Sequence, residues 1–137
     1  LHEEGLEAVW ARHATLARAV WAALDRWGAN GPVAANIADP AKRSHAVTTV
    51  DMGTGNGAKM RDWMTATAGV TLGIPLQGLR PDPARAVDFF RIGHMGHVNA
   101  HMVLGLLGSL QAGMKAMQIP HDPTGLEVAI EVISEAG

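Results

Sequence analysis

The order of periodic segments along this chain predicts an α+β fold, a two-layer domain with a small, mostly antiparallel sheet covered by helices. Three observations carry that expectation. Apolar residues recur at three- and four-residue spacing in long stretches toward both ends, as amphipathic helices require. Short runs of β-branched and aromatic residues lie between those stretches. Clusters of glycine and proline separate the runs, so each element is brief and turns back on its neighbour.

The first element is a helix. Leu6, Val9, Trp10, His13, Leu16, Ala17, Val20, Trp21, Leu24 and Trp27 fall on one stripe. Glu3, Glu4 and Glu7 sit near its start, where the helix dipole favours acids. Gly28 and the Asn30-Gly31-Pro32 run end it. A loop passes through Asp39-Pro40, and then His45-Ala46-Val47-Thr48-Thr49-Val50 reads as a strand. Gly53-Thr54-Gly55-Asn56-Gly57 breaks it. Ala58 to Thr67 is a short helix with Met60, Trp63 and Met64 turned inward. Val70-Thr71-Leu72 is a second, short strand, stopped by Gly73 and Pro75. A proline-rich connection from Leu79 to Ala84 leads to the third strand, Phe89-Phe90-Arg91-Ile92, which Gly93 ends.

Residues 98–118 are the second long helix, stopped by Pro120, with an inner stripe of Met102, Leu106, Leu110, Met114 and Met117. Gly105, Gly108 and Gly113 each cost about 1 kcal/mol of helix propensity relative to alanine, which points to close packing against a neighbour. A last helix runs from Thr124 to Ser134, with Thr124 and Glu127 spaced as a capping box.

Composition narrows the function classes. A length of 137 residues suits one domain, and 47% apolar with 18% charged residues is an ordinary globular balance. The net charge is −2 and the bases do not cluster, which argues against a nucleic-acid or anionic-membrane surface. The absence of cysteine excludes disulfides, Cys-ligated zinc and a thiol nucleophile, and fits a reducing, cytoplasmic setting. Residues 1–5 carry no signal-peptide pattern, and the leucine at position 1 suggests a piece of a longer protein. Val98 to Met114 carries no full charge, yet it holds Asn99, His101, Ser109, Gln111 and three glycines and is slightly short for a bilayer. It reads as a buried helix.

Arg91 is the residue to single out for chemistry. It lies inside an apolar strand, where a guanidinium must be paired, and its fork suits bidentate capture of a carboxylate. The bland alternative is a salt bridge to Asp88 or to a helix carboxylate, with strand alternation turning Arg91 to solvent. His94, His97 and His101 form a second cluster. The last two are four apart, a plausible metal spacing, but Val98 stands where a zinc protease has its glutamate and no acidic third ligand is near. They read more simply as histidines at a helix start. The glycine run at 53–57 meets neither the G-x-G-x-x-G nor the P-loop pattern and reads as a turn. No paired carboxylates, catalytic triad or nucleophile elbow stands out, so the residues present assign no catalytic, cofactor-binding or metal-binding group.

Phe90-Arg91-Ile92-Gly93-His94-Met95-Gly96 resembles the F/L-R-I-G-x-x-G segment of the alanine–glyoxylate and serine–pyruvate aminotransferases, class V of the pyridoxal-phosphate enzymes. Gly5-Leu6-Glu7 with Trp10 and His13 resembles that family's G-L-E-x-x-W-x-x-H. Val47-Thr48-Thr49-Val50, Val70-Thr71-Leu72-Gly73 and the stretches Leu104–Gly113 and Ala116–Pro120 resemble further segments in the same order. The resemblance implies that residues 1–137 are the C-terminal small domain of a fold type I aminotransferase, without the large cofactor-binding domain. It implies a homodimeric parent that moves an amino group from an alanine- or serine-like donor to glyoxylate or pyruvate. Pyridoxal phosphate would sit on a Schiff-base lysine outside this chain, since Lys42, Lys59 and Lys115 do not stand in that lysine's motif. It implies that Arg91 binds the substrate carboxylate, and that the isolated chain is inactive. The loop Ile74–Asp88 is longer and richer in proline and arginine than the family's, and Arg80 and Arg85 read as surface residues there. A different class of function is a noncatalytic helical assembly module, with the tryptophan-rich first helix and the glycine-bearing second one as partner surfaces.

Overall fold

A computed structural model describes residues 3–76 and 82–136. Helix α1 (Leu6–Gly28) comes first, followed by strand β1 (Ala34–Ala35), strand β2 (Val47–Asp51) and helix α2 (Asn56–Trp63). Strand β3 (Phe89–Gly93), helix α3 (Ala100–Ala116) and helix α4 (Gly125–Ser134) complete the order. The three strands form an antiparallel sheet in the order β1-β2-β3. The expected α+β architecture is thus present.

Strand alternation sets the two faces. Thr48 pairs with Ile92 and Val50 with Phe90, and all four side chains are buried. Helix α1 packs on β2 and, most extensively, on α4. Its core face is Leu16, Ala17, Val20, Leu24 and Trp27, with Ala19 and Ala23 fully buried beside them. The N-terminal part of the predicted stripe is different: Val9 is buried, but Leu6 and Trp10 are 55% and 63% exposed. Gly28 is the last residue of the helix rather than its stop.

Two close approaches lock the layers. Gly57, in the first turn of α2, lies so near the Asp88–Phe89 peptide that any side chain there would overlap backbone. Gly125, at the start of α4, lies under the Trp27 indole, whose Nε1 donates to Gln111 Oε1 of α3 at 2.9 Å. Gln111 Nε2 donates in turn to Pro123 O, also at 2.9 Å, so one amide ties α1, α3 and the lead into α4.

Several boundaries differ from the sequence reading. β2 begins at Val47 instead of His45, and the two-residue β1 carries too little pattern to be foreseen. α2 starts at Asn56 and continues into a π turn over Met64–Ala68. Val70-Thr71-Leu72 is extended but is not a strand, since it meets the sheet only at a single bridge, Gly73 to Arg91. In α3 the buried face is Val103, Leu107, Leu110, Gly113 and Met114; it shares Leu110 and Met114 with the expected stripe, but Val103 and Leu107 replace Met102 and Leu106. Met102 is 52% exposed, while Leu106 and Met117 are half-buried. Asn99 caps α3, its Oδ1 accepting from Met102 N at 3.0 Å. Of the helix glycines, Gly113 packs tightly on Met60 and Trp63, Gly108 makes ordinary contact with Leu126, and Gly105 faces open space. The capping box at α4 does not form: the Thr124 hydroxyl donates to Asp122 Oδ1 instead.

Candidate substrate-binding site

Arg91 stands at the centre of β3, opposite Thr49 of β2 and on the sheet face away from Phe90 and Ile92. It opens into a groove of about 720 Å³ between the sheet, residues 70–73 and α3. The walls are mainly aliphatic, from Val70, Leu72, Val98, Met102 and Leu106; Arg91, Thr71, His101 and Ser109 supply the polar groups. Arg91 is the only arginine or lysine among the described residues that line it.

The guanidinium makes no ion pair among the described residues. Its Nε donates to Ile74 O at 2.6 Å. The alternative of an Asp88 salt bridge is overturned. Asp88 is buried and committed elsewhere: Oδ1 accepts from Gly55 N at 2.6 Å and Oδ2 from Arg85 Nε at 3.1 Å. Arg85 also reaches Asp51 at 3.0 Å and lies over the Phe89 ring, so it staples the Pro83–Asp88 turn to β2 and β3. Those carboxylates hold its guanidinium charge more firmly than usual. Half of its side chain remains exposed, while Arg80 lies outside the described residues.

The three histidines do not come together. His94 is fully buried, not a helix-start residue, and both ring nitrogens are engaged. Nδ1 donates to His45 O at 2.9 Å, which leaves Nε2 to accept from the Thr48 hydroxyl at 2.8 Å. Thr48 Oγ1 in turn accepts from Trp21 Nε1 at 2.9 Å. This relay joins α1, β2 and the end of β3. Burial holds His94 below the ordinary histidine range, against the opposing bond to the His45 carbonyl. His97 is exposed, and His101 lines the groove. No group of three His, Asp or Glu among the described residues is arranged to hold a metal ion.

The turn that carries the chain from β3 into α3 is fastened to α1 by Arg12, which the sequence reading passed over, and by His13, which it placed on the apolar stripe. Arg12 Nη1 donates to Gly96 O at 2.9 Å and Val98 O at 2.7 Å, while Glu4 grips the rest of its fork at 2.9 and 3.0 Å. His13 Nε2 accepts from Gly96 N at 3.0 Å. Val98 and the first turns of α3 wall the groove, so this fastening sets its width. The signal in sequence was the nearby glycine, since Gly96 takes φ +82.

Of the glycine run at 53–57, residues 53–55 form the expected turn, while Asn56 and Gly57 already belong to the first turn of α2. Gly53 N and Gly55 N donate to the Asp51 and Asp88 carboxylates, an arrangement that repels a phosphate. No lysine lines the groove. The residues present therefore fit a substrate carboxylate and do not fit the covalent attachment of pyridoxal phosphate. Among the described residues, no helix is long and apolar enough to cross a membrane.

No protein-family model matches the chain. Over 124 residues it is 32% identical to serine–glyoxylate aminotransferase of Arabidopsis thaliana, a match that takes in 88% of this chain and 28% of that protein. Ureidoglycine–glyoxylate aminotransferase from Bacillus subtilis superposes with a TM-score of 0.81 at 25% identity, covering 97% of this chain and 32% of that one. Pyridoxamine–pyruvate aminotransferase from Mesorhizobium loti gives 0.81 at 28% identity, covering 99% and 33%. The chain spans about a third of the length of the relatives it matches.

Proposed function

We propose that this chain is the C-terminal domain of a class V, pyridoxal-phosphate-dependent aminotransferase, where it closes the active site and clamps the substrate carboxylate on Arg91. The parent transfers an amino group from a small, alanine- or serine-like amino acid to glyoxylate or pyruvate. The names of the relatives support an amino donor paired with glyoxylate or pyruvate. The cofactor-binding domain lies outside residues 1–137, the parent is a homodimer, and it works in the cytoplasm. Exposed Leu6 and Trp10, one helical turn apart on α1, support such an assembly as apolar side chains available to a neighbour.

The observation that carries the reading is the state of Arg91. A cation stands in a mostly aliphatic groove without a carboxylate partner among the described residues, and a groove of that kind binds a small carboxylate strongly. Pyridoxal phosphate, held outside these residues, supplies the electron-withdrawing chemistry that loosens bonds at the substrate's Cα. This domain contributes orientation: fixing the carboxylate on Arg91 leaves one direction for the amino or oxo group, and the aliphatic walls keep water from competing.

Arg91→Ala in the full-length enzyme tests this. The loss of a charged bidentate contact should lower kcat/KM roughly a hundredfold for both the amino donor and the oxo acid. Both substrates carry the carboxylate, so both must suffer. Unchanged kinetics for either one would remove Arg91 from the site.

A further inference from the structure

The segment ahead of β3 decides which part of the Arg91 guanidinium is available. After the π turn, Gly69 takes φ +67 and reverses the chain, and residues 70–73 return toward β3. Gly73 then meets Arg91 in two backbone hydrogen bonds, Gly73 N to Arg91 O at 2.9 Å and Arg91 N to Gly73 O at 2.8 Å. The approach leaves little room. A Cβ on Gly73 would lie 3.1 Å from Arg91 Cβ and 3.6 Å from its Nε. Gly73 does not use left-handed backbone, so glycine is needed there for space and not for its φ angle. The next carbonyl, Ile74 O, takes the Nε proton at 2.6 Å.

A guanidinium has two edges that grip a carboxylate with two parallel bonds, Nε with Nη2 and Nη1 with Nη2. Ile74 O consumes the first. Nη1 and Nη2 have no partner among the described residues. We propose that Gly73 and the Ile74 carbonyl are a positioning pair, which fixes the Arg91 fork so that substrate carboxylates are received end-on by Nη1 and Nη2. The pair pre-orders a side chain that otherwise spends rotamer freedom on binding, so Gly73 sets the affinity of the site without touching substrate. The inference rests on the reading of Arg91 as the carboxylate clamp.

The test uses the full-length enzyme, with glyoxylate as oxo acid and L-serine as amino donor, and four variants: Gly73→Ala, Arg91→Ala, the double variant and Arg91→Lys. Gly73→Ala should raise both KM values roughly tenfold and leave kcat within about twofold, because the fork is displaced before binding and not during the reaction. With Arg91 already replaced by alanine, the further Gly73→Ala change should add nothing, since its effect runs through the guanidinium. Equal losses in both backgrounds would show a general packing defect and overturn the proposal. Normal KM values for Gly73→Ala beside raised ones for Arg91→Ala would overturn it too, and leave the clamp standing. Unchanged KM values for Arg91→Ala would sink both readings. Arg91→Lys gives an answer even where Gly73→Ala does not fold: an ammonium drawn to Ile74 O offers the carboxylate at most one bond, so both KM values should stay raised roughly tenfold or more. Recovery of the parent values by lysine would refute end-on capture.

Discussion

Replacing Thr48 by valine isolates the cost of the buried relay that joins α1 to the sheet. Valine has the shape of threonine, so packing changes little, but the hydroxyl vanishes from between two buried groups. Thr48 is 5% exposed, Trp21 8% and His94 0%, and water cannot replace the missing partner without opening the core. The Trp21 Nε1–H loses its acceptor at 2.9 Å and His94 Nε2 loses its donor at 2.8 Å. Each orphaned group costs about 1–3 kcal/mol, so the substitution should cost about 2–6 kcal/mol in all. With a urea m-value of about 2 kcal/mol/M for a chain of this size, the midpoint should fall by about 1–3 M. Tryptophan fluorescence during urea unfolding reads this directly, because Trp21 is a member of the relay. Thr48→Ser, which keeps the hydroxyl, should stay within about 1 kcal/mol of the parent. A valine midpoint within about 0.5 M of the parent, at an unchanged m-value, would refute the claim that the relay is energetically significant.

Two further outcomes follow from the same core. Burial depresses the His94 pKa, so as the pH falls through its ordinary value of 6.5 the unfolded chain gains a proton that the folded chain refuses; stability is full above that pH and is lost below it. His94→Asn should flatten this part of the loss between about pH 7.5 and about pH 5.5, read as the change in urea midpoint, and an unaltered slope would contradict it. Gly57→Ala should cost about 2 kcal/mol or more, or abolish folding, because the added methyl meets the Asp88–Phe89 backbone, which cannot rotate away; a urea midpoint equal to the parent's would contradict the close approach.

Some of this architecture was legible in the sequence, and the failures have physical causes. The periodic stripes located α1 and α3, a capping-box spacing marked α4, and the apolar run around Arg91 located β3, because those signals are local. The phase of α3 in its first half was not legible. Met102, Val103, Leu104, Leu106 and Leu107 offer apolar residues on adjacent faces, and only packing against α1, α2 and α4 chooses between them. Val70-Thr71-Leu72 had strand composition, yet the sheet edge meets it at Gly73 alone. Arg91 stood out as a charge in an apolar strand, but its freedom from carboxylates depends on Asp88 being held by Gly55 and Arg85, which no spacing rule reveals. His94 misled for the same reason. Its neighbours in sequence are histidines, while its partners in space are Thr48 and the His45 carbonyl, more than forty residues away.

The pairing of α1 with α4 has a consequence for how the domain is made. The first helix finds its most extensive contact in the last one, across nearly the whole length of the chain. During synthesis the Trp27 indole and the alanine face of α1 leave the ribosome long before Gly125 and Ala129 exist to cover them. The part of the α1 face that α4 covers therefore stays open until α4 is made. Until then the nascent chain presents a sticky helix to its surroundings, and chaperones have their longest opportunity at the beginning of the domain rather than at its end.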